Sequence, residues 1–364
     1  MKIIKYLLLG LMLFIAGFLL YPAPIDSAPW NPPMAPEMKG QYAVNEILKQ
    51  SKLLALGDIY GPEDVAIDSI GRVYGGTQDG LIKRVLLDGS VETWVNTGGR
   101  PLGLHFDSKQ NLIVCDAFKG LLSISPDASI EVLVDSVDGV PLVFTDDVDI
   151  ASDGKIYFTD ASSKWDQHHY MLDLLEYKPW ARFMVYDPTT KITKVLLDKL
   201  YFANGVALSK DEDFVLINET WNYRILRYWL KGEKAGSHDV FIDNLPGFPD
   251  GVSSNRKGRF WVALPTPRLP KVDSMHPKPW LKNISSKLPD FMKPKPIEYG
   301  FVLGFNEQAE VIFNLQDSDG SHLKEITSVQ EHDGFLYLGS LHNDRIGKLS
   351  LEAIKTAGVI SNNE

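Results

Sequence analysis

The sequence predicts an all-β fold, a six-bladed β-propeller, preceded by an N-terminal transmembrane or signal segment. Three observations lead to this prediction: a turn that occurs six times, an apolar strand shortly after each turn, and Asp-Gly hairpin signals between the strands. A repeat of about 40 to 60 residues built from short strands is typical of propellers and not of helical arrays. The turns that open the repeats are Pro62–Val65, Pro101–Leu104, Thr145–Val148, Ala203–Val206, Pro249–Val252 and Ile326–Val329.

The strands that follow these turns are rich in β-branched and aromatic residues, as strands of a sheet require. They are Arg72–Tyr74, Leu112–Val114, Lys155–Phe158, Phe214–Leu216, Arg259–Val262 and Phe335–Leu338. Outer strands are predicted at Leu81–Val85, Arg182–Tyr186 and Arg224–Tyr228. A propeller closes when one terminus supplies a strand to the last blade. Residues 42–56 and residues 345–351 are both candidates, and the sequence leaves the choice between them open.

The N-terminus forms a separate segment. Lys2 and Lys5 precede an uncharged apolar run from Tyr6 to Tyr21, which as a helix is about 24 Å long and slightly short for a bilayer core. The small residues after this run make a poor signal-peptidase site, so we expect an uncleaved anchor, with the propeller in the periplasm, the lumen or the exterior. Cleavage would instead give a secreted protein.

The predicted domain organisation follows from this segment. Residues 1–22 are the membrane anchor or signal segment, residues 23–41 a proline-rich linker, and residues 42–364 the propeller. Two insertions, near residues 162–181 and 265–299, interrupt the repeats, and the first contains a predicted short helix at His169–Tyr177. Long insertions in repeat proteins often lie on the binding face, so we expect a lid over the channel; additional packing over blade edges is the alternative.

Composition excludes several classes of function. The formal net charge of −10 argues against a nucleic-acid partner, because phosphate binding requires clustered Lys and Arg. The single cysteine, Cys115, excludes an intrachain disulfide. We find no Gly-x-Ser-x-Gly elbow, no His-Glu-x-x-His motif and no phosphate-binding loop. Asp317–Gly320 resembles the start of an EF-hand, but its glycine comes too early and we interpret it as a turn.

The second residue of each opening turn occupies an equivalent position in its blade, and the first strand of a blade lines the channel. The six residues that therefore form a ring are Glu63, Leu102, Asp146, Asn204, Asp250 and Thr327. Three carboxylates that converge on one axis repel one another unless a cation binds. The four oxygen donors Glu63, Asp146, Asn204 and Asp250 favour Ca²⁺, with Mg²⁺ or Mn²⁺ as second choices. Local turn capping is the alternative interpretation.

The third position of the same turns carries two further acids, Asp64 and Asp147. Both side chains point deeper into the channel or to the other side of the strand. There they could hold a second metal ion that links the blades, or they could simply accept hydrogen bonds from backbone amides.

Several phrases of the sequence resemble a known family. They are Gly61–Asp64, Tyr157–Asp160 with Ser162–Trp165, Phe202–Val206, Pro246–Asp250 and Gln330–Gly334. Together they resemble the strictosidine synthase-like and adipocyte plasma membrane-associated protein family, over nearly the whole chain. The resemblance implies a propeller related to gluconolactonases and paraoxonases, with calcium at the top of the channel and hydrolysis of esters or lactones.

The resemblance also implies roles for single residues. Glu63, Asn204 and Asp250 match calcium ligands, Asp146 stands where the related families usually have asparagine, and Asp64 and Asp147 match the second, structural calcium of paraoxonases. Threonine at position 327 stands where we align the catalytic glutamate of strictosidine synthase. Since threonine is no acid or base near neutral pH, we do not expect strictosidine synthase activity.

The sequence thus predicts a calcium-dependent hydrolase of carboxylic esters or lactones. The metal polarises the carbonyl group, and Asp250 or Asp146 serves as the base that activates water. Leu102 and Thr327, the weak donors of the ring, leave room for a substrate, and His168 and His169 are further candidates for the pocket. The alternative is a membrane-tethered, non-enzymatic propeller with a structural calcium that binds a protein or lipid partner.

Overall fold

A computed structural model describes residues 2–356 of the chain. The strands are β1 (Lys52–Leu54), β2 (Val65–Ile67), β3 (Val73–Gly76), β4 (Leu81–Val85), β5 (Val91–Asn96), β6 (Pro101–Phe106), β7 (Leu112–Asp116), β8 (Gly120–Ile124), β9 (Ile130–Val134), β10 (Ser136–Val137), β11 (Val140–Pro141), β12 (Thr145–Ile150), β13 (Ile156–Asp160), β14 (Ala181–Asp187), β15 (Ile192–Leu200), β16 (Ala203–Leu208), β17 (Phe214–Glu219), β18 (Arg224–Trp229), β19 (His238–Ile242), β20 (Val252–Ser254), β21 (Arg259–Ala263), β22 (Gly300–Asn306), β23 (Val311–Asp317), β24 (Ile326–His332), β25 (Phe335–Ser340) and β26 (Ile346–Ser350). The helices are α1 (Lys2–Leu20), α2 (Tyr170–Glu176), α3 (Pro270–Met275), α4 (Pro279–Ser286) and α5 (Leu351–Thr356). Short 3₁₀ helices cover Gly40–Tyr42, Ile47–Gln50, Gln167–His169, Thr220–Asn222 and Asp290–Met292.

Six four-stranded antiparallel sheets surround a central channel, which confirms the predicted six-bladed propeller. Five of the sheets follow chain order from the channel outwards, as in β2-β3-β4-β5 and β6-β7-β8-β9. The innermost strands β2, β6, β12, β16, β20 and β24 each contact the innermost strands of both neighbouring blades, and β24 meets β2 to complete the circle.

The sixth blade contains both ends of the propeller. Its strand order is β24-β25-β26-β1, so β26 is its third strand and the N-terminal strand β1 its outermost strand. Lys52 pairs with Lys348 and Leu54 with Ile346 in antiparallel register. The N-terminal candidate, residues 42–56, therefore supplies the strand that closes the ring.

The blades pack face to face through apolar side chains of alternate strand positions. Between the fourth and fifth blades, Phe214 of β17 lies 6.0 Å from Phe260 of β21, measured between ring centroids. Trp261 and Phe313 of the fifth blade, whose ring centroids are 4.9 Å apart, pack in one buried cluster with Leu336 and Leu338 of the sixth. The apolar core therefore consists of layers between neighbouring sheets, arranged around the propeller axis. Polar residues line the channel itself.

Near the axis, the inner strands approach each other backbone to backbone. Gly205 and Gly251 each follow a ring residue, and a Cβ on Gly251 would lie 2.4 Å from the carbonyl oxygen of Thr327. A Cβ on Gly205 would meet the carbonyl oxygen of Asp250 at 2.5 Å. Glycine at these positions lets neighbouring inner strands come close enough for their ring side chains to meet.

Both insertions follow the second strand of a blade, which places them on the face where the inner strands begin. The first contains α2, in agreement with the helix predicted at His169–Tyr177, and the second contains α3 and α4. Helix α2 packs against α4, and α3 against α4. The two insertions thus form one helical cap, which we call the lid.

Residues 22–36, which we call the strap, lie across this lid rather than forming a free spacer. Ile25 is buried among Leu175 of α2 and Met275 of α3. The backbone N–H of Ala28 donates to the carbonyl oxygen of Glu176 at 2.9 Å, and the backbone N–H of Trp30 donates to the carbonyl oxygen of His276 at 3.0 Å. The strap therefore ties the chain that follows α1 directly to the lid.

Candidate metal and substrate site

Four of the six ring residues sit at irregular points in the inner strands, whereas Glu63 and Asp250 lie two residues before β2 and β20. Strand pairing shifts register between Pro101 and Leu104, between Thr145 and Val148, between Ala203 and Val206, and between Ile326 and Ser328. Each shift spans one of the ring positions. A bulge bends a strand and re-aims a side chain, which explains how residues of regular hairpins come to face one axis.

The three ring carboxylates influence one another strongly. Burial, followed by the negative charges of Asp250 and Asp146, raises the pKa of Glu63 well above its usual value. Burial and the charge of Asp250 likewise raise the pKa of Asp146. Burial raises the pKa of Asp250 to about 7, against an opposing effect of the Asn204 side chain. The structure thus brings the four predicted oxygen donors together at the top of the channel.

This donor set fits a hard divalent cation. Oδ1 of Asp250 is buried and has no hydrogen-bond partner, although an unpaired carboxylate oxygen in such a position is unfavourable. Glu63, Asp146 and Asn204 beside it contribute only oxygen ligands, as calcium prefers. These four residues would hold the ion, and none of them offers the nitrogen or sulfur that zinc favours.

A second layer lies one residue deeper. The Asp64 carboxylate accepts hydrogen bonds from the backbone N–H of Val65 at 2.7 Å and of Leu104 at 2.8 Å. The Asp147 carboxylate does the same with Val148 at 2.8 Å and Val206 at 2.8 Å. Each of these carboxylate oxygens accepts one amide, and one bond of each acid reaches the neighbouring blade. The second metal ion at Asp64 and Asp147 stays a prediction.

The ring forms the floor of an open cavity of about 120 Å³. Its walls are mainly apolar: Leu102, Phe144, Phe202, Trp221 and Phe248 come from the propeller. The lid contributes Gln167, Tyr170, Met171, Leu174, Pro265, Thr266, Leu269, Pro294 and Pro296. A polar floor under apolar walls suits a ligand with one polar group on an apolar body.

Glu325 is a cavity residue that the sequence analysis missed. It is buried, it lines the cavity, and its carboxylate lies 2.5 Å from Nδ1 of His342. The repeat contains a signal for it, because the position two residues before each ring residue lies on the same face of the strand. In three blades that position is Phe144, Phe202 or Phe248, each of which also lines the cavity.

Thr327 and the two candidate histidines lie outside the cavity wall. The hydroxyl of Thr327 is buried and donates to the carbonyl oxygen of Glu63 at 2.6 Å. His168 stacks on Phe118 at 4.8 Å, and His169 pairs with Asp166 at 2.6 Å on the exposed side of the lid. Of the predicted pocket residues, Leu102 lines the cavity.

The position of Thr327 affects the argument against strictosidine synthase chemistry. Strictosidine synthase activity was not expected because threonine supplies no carboxylate at this place in the sixth blade. Because Glu325 presents a carboxylate to the cavity two residues earlier, threonine at position 327 does not by itself exclude acid–base chemistry in this blade.

A group of three acidic residues outside the channel is paired with a lysine. Among residues 2–356, the ligand oxygens of Glu46, Asp317 and Asp319 lie within 4.8 Å of one another, a spacing that the ring carboxylates do not reach. Nζ of Lys49 lies 2.9 Å from Asp319, 3.1 Å from Glu46 and 3.7 Å from Asp317. Residues Asp317–Gly320 form the predicted turn at the end of β23. The lysine ammonium offsets part of the negative charge of this triad.

Comparison with known proteins identifies the family. A family described as strictosidine synthase matches residues 146–233, and one described as strictosidine synthase-like, N-terminal matches residues 40–85. The adipocyte plasma membrane-associated protein of Rattus norvegicus is 37% identical over 93% of this chain and 96% of its own length. The chain belongs to the strictosidine synthase-like family. A plant member, strictosidine synthase-like protein 7 of Arabidopsis thaliana, is 39% identical over 84% of this chain and 83% of its own.

Solved structures of this fold include more distant propellers. A gluconolactonase of Xanthomonas campestris covers 91% of this strictosidine synthase-like chain and 99% of its own, with a TM-score of 0.61 and 17% identity. A calcium-binding regucalcin of Agrobacterium tumefaciens gives a TM-score of 0.57 at 12% identity, over 84% of this chain and 93% of its own. At sequence identities of 12% and 17%, the similarity to these structures shows that the fold is shared. The family resemblance predicted from the sequence is confirmed by the closer relatives.

The strictosidine synthase-like chain also carries one candidate membrane helix within residues 2–356. Ile3–Leu20 of α1 is long and apolar enough to cross a bilayer, and none of its residues is buried against the propeller. A signal sequence has the same length and composition. Helix α1 is therefore a candidate N-terminal membrane or signal segment.

Proposed function

We propose that this protein is a membrane-anchored, calcium-dependent hydrolase of carboxylic esters or lactones. The observation that carries the proposal is the unpartnered Oδ1 of Asp250, buried among Glu63, Asp146 and Asn204 at the floor of an apolar cavity. Gluconolactonase among the proteins of similar fold supports a lactone as one substrate class. The anchor is α1, with Lys2 and Lys5 on the cytoplasmic side.

Calcium held by the ring would polarise the substrate carbonyl and stabilise the negative charge that develops on its oxygen. The apolar walls bind the acyl or aryl part and exclude competing water. Asp250 accepts a proton from the attacking water as the new carbon–oxygen bond forms. The carbon–oxygen bond to the leaving group then breaks, and the leaving alkoxide takes up the proton.

Glu325 offers a second route for this proton. Its carboxylate faces the cavity from outside the ring, and its partner His342 is half-exposed to solvent. In this position the carboxylate can accept the proton of the attacking water and, as the carboxylic acid, donate it to the leaving oxygen, and the histidine can exchange that proton with bulk water. The ring would thus stabilise the developing negative charge, and Glu325 with His342 would transfer protons.

The test uses the full-length protein in detergent or nanodiscs, with an aryl acetate and a lactone as substrates. We expect hydrolysis that disappears with chelator, returns with calcium, and is absent from Asp250→Ala. Failure of the folded, calcium-loaded protein to hydrolyse either substrate contradicts the proposal and favours a binding scaffold with a structural ion. Circular dichroism of the variant separates loss of the site from loss of the fold.

A further inference from the structure

The second insertion, residues 265–299, exposes a group of large apolar side chains. Trp280 is 61% exposed, Phe291 75%, Met292 51% and Ile297 46%. Isolated exposed apolar residues are ordinary, but here four occur within eighteen positions of one lid segment. Pro294 and Pro296, which line the cavity, lie between the last of them. The exposed group therefore borders the wall of the cavity.

The same segment is positively charged although the protein as a whole is acidic. Residues 265–299 contain seven Lys and Arg against three Asp and Glu, while the whole chain has a net charge of −10. Lys278 and Lys295 are exposed beside the apolar residues. Aromatic and aliphatic side chains among lysines are the composition of surfaces that lie in the interface of an anionic bilayer.

The chain geometry holds this segment close to α1. Helix α1 ends at Leu20, and Ile25 is already buried in the lid. Five residues of extended chain span at most about 18 Å. Nζ of Lys287, one residue beyond α4, donates to the carbonyl oxygens of Phe18 at 3.1 Å and Leu19 at 3.3 Å. A bilayer that contains α1 must therefore lie next to the second insertion.

We propose that the second insertion is a membrane-docking surface. Trp280, Phe291, Met292 and Ile297 enter the headgroup region of the anionic bilayer that holds α1, while Lys278 and Lys295 contact lipid phosphates and carboxylates. The mouth of the cavity then opens at the membrane surface. As far as it concerns substrate, the inference rests on the proposed hydrolase function: the preferred esters or lactones are lipophilic molecules that partition into the bilayer.

The test of docking measures depth in the membrane, not activity. The full-length protein carries a nitroxide at Phe291→Cys or Trp280→Cys and is reconstituted into vesicles of phosphatidylserine and phosphatidylcholine. Native Cys115 is buried and does not compete for the label. Leu87→Cys is the matched control, because Leu87 is 73% exposed in the hairpin after β4, on the face opposite the lid.

We expect the labels at 291 and 280 to be more accessible to oxygen than to an aqueous nickel chelate, and the label at 87 to show the reverse. Labels at all three sites with the same aqueous accessibility would overturn the proposal. Protection of 291 from both reagents, together with a doubled particle mass, would also overturn it, because a second copy of the chain would then cover the surface.

A second arm tests the substrate inference with Lys278→Glu combined with Lys295→Glu. We expect hydrolysis of a long-chain ester dissolved in anionic vesicles to fall by about tenfold, since each lysine near the surface contributes to membrane attraction. Hydrolysis of a water-soluble aryl acetate should not change. Equal loss on both substrates would contradict the substrate inference. If the unmodified protein hydrolyses neither substrate, the proposed function fails while the accessibility measurement still decides docking.

Discussion

The Asp64 carboxylate of the first blade accepts a hydrogen bond from the backbone N–H of Leu104 in the second blade, at 2.8 Å. Asp147 joins the third blade to Val206 of the fourth in the same way, also at 2.8 Å. At the equivalent position of the second and fourth blades stand Gly103 and Gly205. Carboxylates and glycines thus alternate over the first four blades. The carboxylates accept amides of the second and fourth blades, and the glycines leave room for the backbone of the third and fifth blades.

This relationship predicts a calcium-independent effect of Asp64→Asn. The amide places a donor where one backbone N–H needs an acceptor, so we expect a loss of about 1–3 kcal/mol in the free energy of unfolding. Urea denaturation with chelator and with calcium measures it, and Asp88→Asn on the exposed hairpin is the control. A loss that occurs only in calcium would instead indicate a second ion at Asp64 and Asp147.

The ring predicts that the metal-free protein becomes less stable as the pH rises. Burial raises the pKa of Asp250 from 3.8 to about 7, so the folded state keeps a proton that the unfolded chain has released. The stabilising contribution of this protonated carboxyl group is therefore fully present below about pH 4 and is lost towards pH 7, on the order of 4 kcal/mol for this group. Calcium should restore it, and more strongly at higher pH.

Thermal unfolding of the parent and of Asp250→Asn, both in chelator, isolates this contribution. The difference in Tm between the two should grow in favour of the variant between pH 5 and pH 7. The comparison cancels groups of opposite sign, such as His276, whose pKa burial lowers to about 3. A difference that does not vary with pH would mean that Asp250 is ionised throughout in the folded protein.

Glu325→Gln should separate proton transfer from metal binding. Because Glu325 lines the cavity from outside the ring, we expect kcat to fall by about 100-fold while calcium affinity stays unchanged. Asp250→Asn, by contrast, should lose both. Calorimetric titration with calcium and steady-state hydrolysis provide the two measurements. A joint loss in Glu325→Gln would assign this glutamate to the metal site.

Trp30→Ala should loosen the lid. Trp30 of the strap stacks on Tyr177 at 4.7 Å and meets His276 edge-on at 5.0 Å. Removing such a ring costs about 3 kcal/mol, and we expect faster limited proteolysis within residues 265–299 and a higher KM. Trp280→Ala, which removes an exposed ring of the same type, should leave proteolysis unchanged. Equal cleavage of both variants and of the parent would show that the strap does not hold the lid.

The repeat determined how much could be predicted. Six aligned turns identified the inner strands and the residues that begin them at the channel, since equivalent positions of a propeller face one axis. The same alignment, moved two residues back, would have found Glu325 and the phenylalanines of the cavity wall. His168 and His169 were predicted near the cavity from their insertion alone, which sets a segment but not the direction of a side chain.

The strap was beyond sequence reasoning for a different reason. Several of its contacts use backbone carbonyl oxygens: Nη2 of Arg268 donates to Pro33 at 2.6 Å, and Nζ of the buried Lys282 donates to Ala28. Every residue has such an oxygen, so a proline-rich composition indicates an extended chain without indicating where it docks. The positions of Ile25 and Trp30 in the sequence do not indicate that these residues dock on the lid, and the structure is needed to show it.

The pairing of β1 with β26 has a consequence for biosynthesis. Strand β1 leaves the ribosome first, but its partner is made almost three hundred residues later. At about 5–20 residues per second, its unpaired edge waits for tens of seconds or longer. An open edge invites pairing with other chains, and insertion of α1 would keep this end of each nascent chain apart at its own site of translocation. A protein that lost its last strand would keep that edge open permanently, so aggregation rather than partial activity is the expected fate of C-terminal truncation before Ile346.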